Sequence, residues 1–483
     1  MKHVVIIGAG ISGLAAAYKI LERHAELREP IALTLFEAGS RVGGTIQTEE
    51  RDGFLLERGP DAFITEKPEA LDLARRLGLE PHLIQTNENH RRSFVVRNGR
   101  LLPIPSGFSL IAPSRLRPFV TSEIFSWQGK ARIALDLLLP RGKLNGDADE
   151  SFAQFVQRRL GREALERMAQ PMVGGIYTAD PETLSLQATM PRFLEMERRH
   201  RSLILALRRS SPKAGEAASG ARYSMFLSFD SGMQLLTDTL AERISEPGDH
   251  STEAAIRFNA RVDSLTLDPP APGRRPKWGI QTVTETLSAD AVCLALPAFV
   301  SAQLLRNIDA QMSSELSEIP YASSATINLA YKREDIPHPL DGFGFVVPFI
   351  EKRTVMACTF SSVKFDGRAP DDNALLRAFV GGALQPELLE LAEAELVSRV
   401  RSDLRDLLGI QRPPLFTEVC RWERSMPQYL LGHIKRLKRI EERLDSLPTL
   451  ALAGNAYSGL GIPDCIRSGE SAAEKLLRNL QNV

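Results

Sequence analysis

Gly8, Gly10 and Gly13 are spaced as GxGxxG directly after the apolar run HVVII at residues 3 to 7. Such spacing suits a phosphate. The first glycine permits a tight turn, the second lets the backbone approach a pyrophosphate, and the third lets helix and strand pack closely. Ala9, Ile11 and Ser12 complete the turn at a helix N-terminus, where free N–H groups and the dipole favour an anion. Alone, the motif is common. Glu37 makes it more specific: it ends a second apolar run, 24 residues after Gly13, and is followed by Ala38. A carboxylate there can accept from a ribose 2′-OH and would repel a 2′-phosphate. Arg41, Gly43, Gly44 and Thr45 then form a second Gly-rich loop, able to close over the pyrophosphate with Arg41 as a counter-charge. A plain nicotinamide-dependent dehydrogenase has no need of that loop.

The elements that must position these residues are legible nearby. His3 to Ile7 reads as a buried parallel strand, Leu14 to Leu27 as a helix, and Ile31 to Phe36 as a second strand, which completes a βαβ unit. Further along, Phe94 to Leu102 reads as a hairpin around Asn98-Gly99. Ser151 to Met168 and Arg192 to Arg209 read as two amphipathic helices. Ser210 to Ala221 reads as a flexible loop by composition. Ile256 to Leu267 and Trp278 to Leu287 read as paired strands. Ala325 to Tyr331 and Phe343 to Val347 read as strands, and a closing helix is expected from about Cys465 or Arg467. The cofactor lobe is thus expected to be discontinuous.

Bulk properties bound the function. The chain has 483 residues, with 43% hydrophobic and 25% charged residues, so it can bury a large ligand in two or three lobes. Lys plus Arg and Asp plus Glu both total 60, which argues against general nucleic-acid binding. The four cysteines (Cys293, Cys358, Cys420 and Cys465) form no CxxC pair, so no metal site is expected. Scattered thiols suit a reducing compartment. The N-terminal strand leaves no room for a signal segment, so a cytoplasmic location is expected.

The GxGxxG turn, Glu37 and the Arg41 to Thr45 loop together resemble the FAD-binding fingerprint of the flavin amine oxidase and phytoene desaturase superfamily. Leu452 to Gly469, LAGNAYSGLGIPDCIRSG, fits as a strand, a Gly-rich loop from Gly454 and a helix whose N-terminus faces the flavin. More specifically, ERGPDAF, GKARIALDLLLPRG, GGIYTADPETLSL, WERSMPQY and AGNAYSGLGIPDCIRSG resemble the oxygen-dependent protoporphyrinogen oxidase family, including its bacterial coproporphyrinogen III oxidase branch.

The resemblance implies an α/β plus α+β architecture: a discontinuous Rossmann-like FAD domain, a substrate domain and a mostly helical membrane-facing domain. The FAD domain would take residues 1–65, 223–300 and 413–483. The substrate domain would take 66–105 and 301–412, and the helical domain 106–222. It implies six-electron oxidation of a porphyrinogen, with O2 as acceptor. Gly59, Pro60, Asp61, Ala62 and Thr45 would line the flavin, and Val262 would meet its adenine end. Trp422, Ile462, Pro463 and Asp464 would lie near the ring. Lys67 would meet propionates, and Tyr177, Phe343 and Phe345 would face the macrocycle, with core packing an open alternative for the aromatics. In the protoporphyrinogen branch an Arg often precedes the hairpin Phe; here Ser93 stands there, after Arg91 and Arg92, which leans toward coproporphyrinogen. No side chain is assigned as catalytic acid or base, because no nucleophile–base arrangement is evident. Peripheral contact with the cytoplasmic membrane face is compatible with the Gly107 to Val120 stretch. A homodimer and a ferrochelatase contact are compatible with the resemblance. Two alternatives stay open at this level: another amine oxidase or desaturase, and a non-catalytic FAD-binding scaffold.

Overall fold

The computed structural model describes residues 1–27, 31–142, 149–210, 225–246, 252–269 and 276–482. The flexible loop expected from Ser210 to Ala221 falls almost wholly outside them. Near the N-terminus a five-stranded, all-parallel sheet forms from β1 (Lys2–Ile7), β2 (Ile31–Phe36), β3 (Thr252–Arg257), β4 (Ala291–Leu294) and β5 (Leu450–Leu452). Its spatial order is β3-β2-β1-β4-β5. This is the doubly wound order for dinucleotide binding, drawn from three separated chain segments. Val4, Val5, Ile6, Val292 and Leu294 are fully buried, because helices cover one sheet face and the strands Val262–Leu267 and Trp278–Thr282 with the helix Ala298–Leu305 cover the other. The first helix, Ile11–Leu27, and the terminal helix, Ile462–Asn482, cross so closely that a Cβ on Gly469 would collide with the Ser12 carbonyl.

The second body is a seven-stranded sheet. Its order is Phe416–Pro427, Tyr321–Lys332, Asn373–Gly381, Ala357–Phe360, Gly344–Val346, Phe94–Arg97 and Arg100–Pro103. All neighbours are antiparallel except Gly344–Val346 with Phe94–Arg97. Residues 416–427, expected in the cofactor lobe, therefore belong to this sheet, since they pair with Tyr321–Lys332. The hairpin forms where the sequence places it, with Asn98 and Gly99 both at positive φ, as a two-residue type I′ turn requires.

Four expected elements are corrected. The helix expected over Ser151 to Met168 stops at Leu160, because Gly161 sits at φ +93°, and a π turn at Leu165–Ala169 leads on to Gln170–Tyr177. The helix over Arg192 to Arg209 breaks into Pro191–His200 and Leu203–Ser210. At that break the fully buried Asp136–Arg159 pair recruits Ser202, whose hydroxyl donates to Asp136 at 2.6 Å, and the Arg201 carbonyl, which accepts from Arg159 at 2.7 Å. The strand over Ile256 to Leu267 is two strands. A turn at Asn259 places the Asn259 and Ala260 N–H groups on the carbonyls of Gly39 and Glu37, so β3 joins the parallel sheet and Val262–Leu267 pairs with Trp278–Thr282. The terminal helix opens earlier than expected, at Ile462, with Pro463 in its first turn where a missing N–H costs nothing.

The two bodies meet at the strand Phe54–Glu57. Glu57 is buried, and its carboxylate accepts from the Met233 N–H at 2.8 Å and the Thr48 hydroxyl at 2.9 Å. Burial outweighs these contacts and the nearby Arg368 and Arg377, and pushes its pKa up to about 7. A buried acid whose folded pKa is raised destabilises the fold as pH rises from the unfolded value to the folded one. We therefore expect Glu57→Gln to match the wild type in stability near pH 4 and to exceed it by up to about 3 kcal/mol at pH 8. Denaturant midpoints of both proteins at the two pH values check this; parallel pH responses would contradict it.

Candidate functional site

The GxGxxG turn lies between β1 and the first helix. The Gly8 N–H donates to the Phe36 carbonyl at 2.8 Å, locking the turn to β2. A Cβ on Gly13 would overlap the Gly8 carbonyl, whereas one on Gly10 would meet nothing within 4 Å. The turn is therefore closed on its helix side and open at Gly10, the position from which a pyrophosphate would approach. The second loop lies directly on the first: the Gly43 N–H donates to the Ala9 carbonyl at 2.8 Å. The structure shows a different use for Arg41 from the expected counter-charge. Its guanidinium donates to the carbonyls of Val42 (2.8 Å), Ile46 (3.1 Å) and Gly44 (2.6 Å), so it organises its own loop.

Glu37 accepts from the N–H groups of Ala9 (2.9 Å) and Gly39 (2.8 Å), which aligns its carboxylate at the ends of both strands. It lines a cavity of about 310 Å³ with Gly8, Ala38 and Val262. Ile11 and Ser12 are buried in the first helical turn. These residues fit the adenosine half of a dinucleotide: a carboxylate for the ribose, an apolar wall, and backbone N–H groups at a helix start.

The loop Arg58–Ala62 lies across the second sheet. Its backbone carbonyls accept side-chain donors from three strands. The Arg58 carbonyl accepts from the Trp422 indole and the Thr326 hydroxyl, both at 2.9 Å, and the Gly59 carbonyl accepts from the buried Arg377 guanidinium. Thr45 reaches the same place, since a Cβ on Gly59 would overlap the Thr45 carbonyl. Beside Pro60, Asp61 pairs with Lys364 at 2.8 Å. Burial alone would raise the Asp61 carboxyl, but Lys364 and Arg377 hold it below the ordinary range. Sequence reasoning missed Arg377, Thr326 and Lys364. A lone arginine inside the apolar strand LLRAFV was the available signal.

At the start of the terminal helix, beyond Gly454, Ile462 and Pro463, the buried Asp464 carboxylate accepts both Lys67 (2.7 and 2.6 Å) and Arg467. Tyr177 donates its hydroxyl to the Thr189 carbonyl at 3.2 Å. Burial, and then the Asp464 charge, push its phenol up to about 12, so it is neutral at physiological pH. The Lys67 and Asp464 side chains, 397 positions apart, are thus brought together. Phe345 is not among them. It is 2% exposed and packs in the core of the second sheet against Phe360, so its expected contact with a macrocycle is corrected: the strand's alternation turns it inward. Phe343 is half-buried at the strand start, its N–H donating to the Arg92 carbonyl at 2.8 Å. Arg91 and Arg92 are exposed and paired with Glu88 and Asp341. Cys465 is a buried thiol, its pKa pushed up to about 12 by burial. Among the described residues no cluster of three or more His, Cys, Asp or Glu could hold a metal ion.

Residues 11–477 match the model of the flavin-containing amine oxidoreductases. The chain belongs to this family. The flavoprotein is 35% identical to a coproporphyrinogen III oxidase of Bacillus subtilis (strain 168), over 99% of this chain and 98% of that one. It is 32% identical to a coproporphyrinogen III oxidase of Staphylococcus aureus, over 99% and 100%. A chloroplastic/mitochondrial protoporphyrinogen oxidase 2 of Arabidopsis thaliana is 29% identical over 100% and 95%. Among solved structures, a protein from Exiguobacterium sp. 255-15, provisionally assigned as a protoporphyrinogen oxidase, superposes with a TM-score of 0.84 at 30% identity, covering 99% of each chain.

If Glu37 holds the flavin nucleotide's ribose, removing its carboxylate costs a hydrogen bond to a charged group. Glu37→Ala is expected to weaken flavin retention about tenfold or more. Fluorescence titration of the flavin-depleted protein measures this; equal affinity in mutant and wild type would take Glu37 out of the site.

Proposed function

We propose that this flavoprotein is an FAD-dependent porphyrinogen oxidase of haem biosynthesis, and that its substrate is coproporphyrinogen III in preference to protoporphyrinogen IX. The reaction is porphyrinogen plus three O2 giving porphyrin plus three H2O2. The observation that carries this reading is the near-full-length likeness to coproporphyrinogen III oxidases at 35% and 32% identity, above the 29% of the Arabidopsis protoporphyrinogen oxidase 2. The Ser93 position, where the protoporphyrinogen branch often carries Arg, supports the same branch.

Bound FAD supplies the two-electron acceptor. The chain's own residues position. The open face at Gly10 and the Glu37 cavity take the dinucleotide, and the Arg58–Ala62 loop and the first turn of the terminal helix border its ring. The helix start favours negative charge there. A porphyrinogen C–H next to an electron-rich pyrrole is activated by the pyrrole nitrogen, so orientation matters more than a strong base. Lys67 is 40% exposed while still bound to Asp464, so one of its three donors remains available to a substrate propionate. Tyr177 forms the wall beside it.

The helical region supports peripheral membrane contact. Trp127 and Leu138 are each 73% exposed, and Leu116 and Val120 are over two-fifths exposed. Lys130 lies 4.3 Å over the Trp127 ring, and Arg115 and Arg117 flank Leu116. Such mixtures bind anionic interfaces. No described helix is long and apolar enough to cross a membrane.

Two measurements test the proposal. Coproporphyrinogen III and protoporphyrinogen IX are incubated separately with the enzyme in air and porphyrin fluorescence is followed. We expect faster turnover of coproporphyrinogen III, and a KM about tenfold higher in Lys67→Met, in line with one charge-assisted contact. Rates no greater than autoxidation for both substrates would overturn the reaction. Liposome flotation at low salt should retain the protein on anionic but not on zwitterionic vesicles; no retention on either would remove the membrane contact.

A further inference from the structure

Gln428 and Tyr429 follow the strand Phe416–Pro427 and are both buried, at 5% and 2% exposure. They make contacts in opposite directions. The Tyr429 hydroxyl donates to the Asn455 carbonyl at 2.6 Å and accepts from the Gly459 N–H at 2.8 Å. It therefore closes the Gly-rich loop that leads into the terminal helix and Asp464. The ring is held in place by stacking on His433, with centroids 4.2 Å apart and planes at 11°. Burial pushes the phenol's pKa well up, so the hydroxyl keeps its proton and both bonds. His433 is driven down to about 4 by its own burial, so the stacked pair is uncharged.

Gln428 reaches the other way. Its side-chain amide donates to the Tyr177 carbonyl at 3.1 Å, and its own N–H donates to the Pro320 carbonyl at 2.8 Å. The Tyr429 carbonyl accepts from the Ser185 N–H at 2.8 Å, which ties the segment after Tyr177 to the same dipeptide. Tyr177 in turn donates its hydroxyl to the Thr189 carbonyl at 3.2 Å. The connections form a chain: from Asp464 through its loop to Tyr429, along the backbone to Gln428, and across to Tyr177.

We propose that Gln428 and Tyr429 are positioning residues that set the distance between the flavin-side loop, residues 455–464, and the substrate-side segment, residues 177–185. The proposal rests on the reading of these segments as the flavin and porphyrinogen sides of the site. It divides the two effects between adjacent side chains. Gln428 acts on the substrate side and Tyr429 on the flavin side.

Two variants on the flavin-loaded enzyme test the division. Gln428→Met keeps length and apolar volume but loses the donor. Tyr429→Phe keeps the stacked ring but loses both hydroxyl contacts. Four quantities are measured: KM and kcat for porphyrinogen, the visible flavin spectrum, and the flavin Kd. We expect Gln428→Met to raise KM five- to tenfold, with kcat, spectrum and Kd within twofold of wild type. We expect Tyr429→Phe to leave KM within twofold, to lower kcat about tenfold, and to alter the flavin band or raise the flavin Kd at least fivefold. Release of flavin from a Tyr429→Phe protein with unchanged far-UV dichroism also supports the loop role. Equal changes in KM and kcat in both variants, no change in either, or general unfolding of Tyr429→Phe would overturn it. If the wild type oxidises no porphyrinogen, the proposed reaction fails separately. The spectrum and Kd then still decide Tyr429, and quenching of porphyrin fluorescence on binding decides Gln428.

Discussion

Three consecutive backbone carbonyls, from Glu57 to Gly59, fix the chain entering the loop Arg58–Ala62 on the seven-stranded sheet. They accept four side-chain donors from the second sheet: Asn328, Thr326, Trp422 and Arg377. The donors come from three different strands, so the loop's path is determined by the sheet rather than by its own sequence. The Arg58 carbonyl has two donors, so losing Thr326 or Trp422 leaves it one, whereas losing Arg377 takes a charged donor from the Gly59 carbonyl, at about 1–3 kcal/mol. The loop Arg58–Ala62 inherits its position from this junction.

The junction also explains why charge is buried there. Arg377 and Arg368 are almost completely enclosed, and Glu57 and Asp61 lie close to both. Isolated buried charges are costly, whereas hydrogen-bonded neighbours offset that cost. The balance is uneven: Asp61 is held ionised by Lys364 and Arg377, while Glu57 is held protonated to near neutrality by burial. Two acids four residues apart thus carry opposite shifts because one is paired and the other is shielded.

Much of the cofactor half was legible in the residues. β2 was placed at its observed bounds, and β1 and the Asn98-Gly99 hairpin within one residue, because periodicity and turn chemistry are local. Gly13 could be read because a close approach of helix and strand demands glycine at that spacing. Two of the elements that failed have a non-local cause. The helix expected over Arg192 to Arg209 breaks because Asp136 and Arg159, far earlier in the chain, claim its groups. The Ile256 to Leu267 strand divides because its middle must turn onto the end of β2. Phe345 looked available to a ligand, yet the sheet turns it into the core.

The amino-acid sequence by itself determined the GxGxxG turn, the carboxylate that ends the second strand, the second Gly-rich loop and the family, since each is written in short stretches whose geometry is local. Tertiary structure alone decided what those stretches meet. It gave Lys67 to Asp464, and the Arg58–Ala62 backbone to donors more than 260 residues away. These pairings depend on which strands become neighbours in two sheets, and strand neighbourhood is set by the packing of the whole chain rather than by any one segment of it.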